Sequence, residues 1–110
     1  MKTLNAGRLR HRITIERKTH EQDPTTGAMT PVWSPLAQNV AAAVEPLSGR
    51  ELLAAGQMKS KITARVIVRY REGITAAMRV LHGGQTFNIV AVIPDDQSGR
   101  EWLTLMVESA

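Results

Sequence analysis

The chain has 110 residues, no cysteine, and fourteen Lys and Arg against ten Asp and Glu, for a formal charge of +4. That length allows one domain with one modest core. The lack of thiols excludes a disulfide framework, a cysteine-ligated zinc site and a cysteine nucleophile, and the positive balance points to acidic partners, nucleic acid or a negatively charged protein face.

In chain order, residues 1–10 read as a basic N-terminal arm. Six cations precede Thr19 (Lys2, Arg8, Arg10, Arg12, Arg17 and Lys18), opposed only by Glu16. No apolar run of signal-peptide length follows them, and no stretch is long enough to span a bilayer. The expectation is a soluble protein made in the cytoplasm, with no membrane contact. "RITIERK" then alternates Ile13 and Ile15 with polar neighbours, the two-residue period of a half-buried strand. Residues 19–31 are rich in Thr, Pro, Gly and Asp and read as a long loop with its tip near Asp23–Gly27. Trp33 anchors the return, and "NVAAAVEPL" carries a second strand ending at Pro46.

Residues 47–61 read as an insertion. Ser48-Gly49-Arg50-Glu51 has the form of a capping box, in which serine and glutamate each satisfy an amide of the first turn. It predicts a short helix over Gly49–Met58, whose apolar residues Leu52, Leu53 and Met58 form no clean stripe and so await a neighbour. "SKITARVIVRYR" restores strand period, with Ile62, Ala64, Val66, Val68 and Tyr70 on the core face. Lys61, Thr63, Arg65, Arg69 and Arg71 lie opposite, and Ile67 alone breaks that polar face. "MRVLH", "QTFNIVAVI" and "EWLTLMVE" complete the set. The pattern predicts a mainly β chain: a small antiparallel β-barrel of about six strands with one short α-helix between the second and third, forming a single domain over 1–110.

No constellation supports an enzyme. Gly83-Gly84-Gln85 matches the catalytic tripeptide of peptide release factors, but it sits between two strand-like runs, where a double glycine makes a hairpin turn. His11, His20 and His82 are far apart in sequence and lack metal-ligand spacing. Asp95-Asp96 lacks the alternating ligands of a calcium loop and reads as a hairpin whose Asp side chains cap backbone amides. Neither cofactor nor metal is expected. The row Lys61, Arg65, Arg69 and Arg71 would form a cationic ladder suited to phosphates or to an acidic protein surface. Only four aromatic residues are present, Trp33, Tyr70, Phe87 and Trp102, mostly at core positions, which argues against base stacking.

Taken together, "GRLRHRITIER", "TTGAMTPVW", "AAVEPLSGRELLAA", "ITARVIVRYREGITAAMRV" and "FNIVAV" resemble the head-closure family of tailed bacteriophages, also called head–tail joining, stopper or head-completion proteins. The resemblance runs from Gly7 to Val107 and rests on the order and spacing of its parts. It implies a ring, usually dodecameric, in the virion neck beneath the portal and its adaptor. That ring retains packaged DNA and receives the tail through a tail-terminator or tail-completion protein. It also implies assembly in the host bacterial cytoplasm and a chain that can be monomeric alone. The insertion at 47–61 corresponds to a loop that plugs the channel in some relatives. Here the capping box suggests instead a helix packed on a neighbouring subunit. Candidate interface residues are Arg8, Arg10, Arg12, Leu52, Leu53, Met58, Lys59 and Lys61. Arg65, Arg69 and Arg71 are candidate contacts to DNA or a partner.

Overall fold

The structure, a computed structural model, describes residues 9–47 and 62–110. Six strands follow in order: β1 (His11–Gln22), β2 (Met29–Pro46), β3 (Ile62–Arg69), β4 (Arg79–His82), β5 (Gln85–Pro94) and β6 (Trp102–Ser109). Neighbours are antiparallel, and the sheet closes into a barrel in the order β1-β2-β3-β6-β5-β4. The closing seam is short: Thr14 faces Leu81, Ile15 faces Val80 and Glu16 faces Arg79. The predicted helix, Gly49–Met58, lies outside the described residues.

The alternation read from the sequence becomes the inside of the barrel. Ile13, Ile15, Val66, Val68, Val80, Leu105 and Val107 are almost wholly buried there. Burying each such side chain stabilises the fold by about 1.5–3 kcal/mol before chain entropy is counted. Gly83 and Gly84, at φ 56° and 82°, form the two-residue turn joining His82 to Gln85. Both angles lie in the left-handed region that glycine enters without steric cost. The hairpin reading of the double glycine therefore holds.

β2 does two jobs, and a bulge separates them. Ile13 faces Val40 while Ile15 faces Ala37, so β2 spends two residues, Gln38 and Asn39, opposite Thr14. Asn39 takes φ 56°, a conformation asparagine tolerates better than most side chains. Beyond this point Arg17–Gln22 of β1 and Met29–Ser34 of β2 pair only with each other, forming a two-stranded arm. The molecule measures 54 × 31 × 26 Å, and six strand residues account for about 20 Å of reach. Residues 19–31 are thus not a long loop: strand pairing continues to Gln22 and Met29, leaving only residues 23–28 as the tip. Pro31 is compatible with that ladder when its nitrogen faces the outer edge, where no hydrogen bond is due. Thr19 Oγ1 adds a cross-strand bond to the Val32 carbonyl at 3.1 Å.

Two other expectations change. Tyr70 lies past the end of β3 and is 37% exposed, not on the core face. Its amide donates to the Glu101 carbonyl, and Ile74 in the following turn joins the core. Ile67, the apolar residue on the outer face, is buried after all. It packs with Leu9, Ala43 and Trp102 in a second cluster outside the barrel.

Candidate functional site

Arg8, Leu52, Leu53, Met58, Lys59 and Lys61 lie outside the described residues. Of the remaining candidates Arg12 is on β1 and Arg65 and Arg69 on β3, while Arg10 just precedes β1 and Arg71 just follows β3. Arg65 does not stand in an open ladder: its Nε donates to Glu45 Oε1 at 3.0 Å, from the residue directly opposite on β2. Arg69 and Arg71 are exposed and make no ion pair among the described residues. Arg10 and Arg12 are exposed as well.

Register brings one of the N-terminal cations to the β3 group. Arg12 faces Ala41, and Ala42 faces Val68, so Ala41 stands between Arg12 and Arg69 on one row of the sheet. Two strand spacings separate those Cα atoms by about 10 Å. Beside them is a shallow notch of about 150 Å³ lined by Asn39, Val40, Ala41, Arg69, Tyr70 and Arg71. The bulge at Asn39 and the early end of β3 shape this notch. Neither is visible in hydrophobic periodicity, although an Asn within a strand is a weak signal of a bulge.

A second group stands at the root of the arm. Arg79 Nε donates to Glu16 Oε1 at 2.7 Å. The Arg79 guanidinium also lies 4.2 Å from the Trp33 ring centroid, with Lys18 Nζ at 5.8 Å. A cation over an indole contributes about 0.5–1 kcal/mol at a partly exposed site. The group braces the arm against the closing seam, since Glu16 and Arg79 are themselves seam partners.

The tip of the arm is built from its own side chains. The Asp23 amide donates to the Ala28 carbonyl, and the Gly27 amide to the Asp23 carbonyl. Asp23 Oδ1 accepts from the amides of Thr25 and Thr26, which hold its carboxyl below the usual aspartate range. Gly27, at φ 74°, completes the turn. Residues 20–31 are all exposed, and Met29, at 59%, is the most exposed large apolar side chain among the described residues.

The other aspartate loop is also structural. Asp95 is buried and receives the amides of Ser98, Gly99, Glu101 and Trp102, with the Ser98 hydroxyl at 3.2 Å. Burial by itself would raise its pKa. The amides, led by Glu101, outweigh that and hold the carboxyl far below the ordinary range. The amide-capping reading of this hairpin is correct.

His11 and His82, remote in sequence, meet at the opposite end of the barrel. Their Nδ1 and Nε2 atoms are 3.2 Å apart and their rings edge-on at 80°. They line a cavity of about 360 Å³ with Val44, Pro46, Phe87 and Ser109. Closure of β4 on β1 creates this contact, which spacing along the chain conceals. Among the described residues no group of three or more His, Asp or Glu converges in metal-ligand fashion. No helix among them is long and apolar enough to cross a membrane.

With this geometry in hand, comparison with known proteins is specific. The family profile described as "Phage head completion protein" matches residues 4–110. The chain is 36% identical over 92 residues to the head completion protein gp7 of Enterobacteria phage HK97, covering 79% of this chain and 80% of that one. Among solved structures it is similar to protein SF1141 from Shigella flexneri 2a, with 29% identity, a TM-score of 0.80 and 97% of both chains covered. A chain from the virion of a native gene transfer agent particle aligns with a TM-score of 0.62 over 100% of this chain and 98% of that one. At 21% identity, that last likeness is one of fold alone.

Proposed function

The chain belongs to the phage head completion protein family, and on that premise we propose that it is a non-catalytic structural component of the virion neck. In this role it joins head to tail. It closes the packaged head below the portal and its adaptor, and it offers the surface on which a tail-terminator or tail-completion protein docks. The observation that carries the reading is the extent of the family match, residues 4–110, which takes in the arm and every strand of the closed sheet.

Copies act as a ring, dodecameric in the particle, and the isolated chain is monomeric. A ring subunit must present complementary patches on two different flanks. Exposed Arg10, Arg12, Arg69 and Arg71 supply a cationic flank for an acidic neighbour. The pairing of Arg65 with Glu45 favours a protein neighbour over a phosphate backbone, because it neutralises the middle of the cation row.

Deletion of the gene from its phage or prophage tests the role. The expected result is accumulation of heads that have lost their DNA beside unattached tails. Restoring the gene should rescue infectious particles, and a tagged copy should be seen at the neck by electron microscopy. A normal yield of infectious particles without the gene would overturn the proposal.

A further inference from the structure

The arm and the cationic notch have the properties of a plug and a socket. A free two-stranded ribbon is marginal in water, yet this one carries a tip fixed by backbone amides that donate to the Asp23 carboxylate and by the left-handed Gly27. A tip organised in advance loses little entropy on docking. The chemistry of this end of the arm is specific: over residues 19–31, Glu21 and Asp23 are the only charged side chains apart from the titratable His20, and Met29 stands out beside them. The notch offers the complement. Arg69 and Arg71 line it, Arg12 stands across Ala41 from Arg69, none of the three makes an ion pair among the described residues, and the half-exposed Tyr70 lines it too. Carboxylates pair with the guanidinium groups, and the methionine thioether packs against the phenol ring.

We propose that the acidic arm tip of one copy docks into the Arg69–Tyr70–Arg71 notch of a second copy. Plug and socket are different patches, so the contact is heterologous and repeats from copy to copy until a ring closes. This deepens the neck reading by naming the contact between subunits, and it rests on that reading for the ring itself.

The absence of native cysteine allows direct trapping. Chains carrying Met29→Cys and chains carrying Tyr70→Cys are mixed at high concentration under mild oxidation, and each is also oxidised alone. The expected result is a mixed disulfide dimer forming roughly tenfold faster than either homodimer, as steering by complementary charge allows. A single chain bearing both substitutions should give a ladder of multimers. Glu21→Arg should remove the preference, Arg71→Glu should do the same, and combining those two charge reversals on opposite chains should restore it. Equal rates for mixed and like pairs would overturn the proposal. So would mixed trapping indifferent to Glu21→Arg, or a short DNA duplex that binds the notch at physiological salt and blocks trapping. A neck location established in particles whose subunits give no such cross-link would leave the functional reading intact and remove only this contact.

Discussion

Asp95 shows how one side chain can hold a connection that contributes little to the core. Its two oxygens gather four amides of the β5–β6 loop, so the carboxylate form is favoured in the folded state. A depressed folded pKa contributes stability that is complete above the unfolded value, about 4 for aspartate, and is lost as pH falls through it towards the folded value. Stability should therefore decline as the solution is acidified from pH about 5 to 2. In Asp95→Asn that slope should flatten and Tm at neutral pH should drop by several degrees. Thermal melts across this pH range check both, and an unchanged acid slope in the variant would remove Asp95 as its source. The acid-side loss was not readable from "PDDQSGR" itself, because the sequence shows which residues can cap but not how many amides converge.

At the scale of elements, β3 shows where periodicity succeeds and where it fails. Its inward residues were legible from alternation alone, and Ile62, Ala64, Val66 and Val68 are all buried. Ile67 and Tyr70 were not, for opposite reasons. Ile67 occupies a solvent-type position, but Leu9 and Trp102 come from distant parts of the chain to cover it. Tyr70 occupies a core-type position, but the strand ends one residue earlier. Ile67→Ala should cost about 2 kcal/mol, the loss for a buried aliphatic side chain, where a solvated face would lose almost nothing. Trp102→Ala should cost about 3 kcal/mol or more. If the two form one cluster, urea denaturation of the double variant will show a loss smaller than the sum. Strict additivity would separate them.

For the whole molecule the decisive feature is closure. Among the described residues, six antiparallel strands joined into a ring leave free edges along the arm, beside the β2 bulge and along the part of β5 that runs past the end of β4. Free edges invite pairing with other chains, so a closed sheet directs association to the few surfaces that remain. The seam between β1 and β4 is only three residue pairs long, and Val80 at its centre is completely buried. Val80→Asp should open the seam and expose two strand edges. The expected outcome is aggregation at temperatures where the parent chain stays clear, measured by light scattering. A variant that melts early yet stays dispersed would show that the seam does not guard those edges.

The sequence by itself determined the core-forming part of each strand, where the glycine and aspartate turns fall, and the family, because strand period, turn chemistry and motif order are local or linear properties. Only the tertiary structure decided what those segments present to a partner. It neutralised Arg65 with Glu45, set Arg12 across Ala41 from Arg69, joined His11 to His82, and extended the expected loop into a paired arm. Each of these depends on register between strands far apart in the chain. A two-residue repeat states which face a side chain takes, but not which neighbours the closed sheet will set beside it.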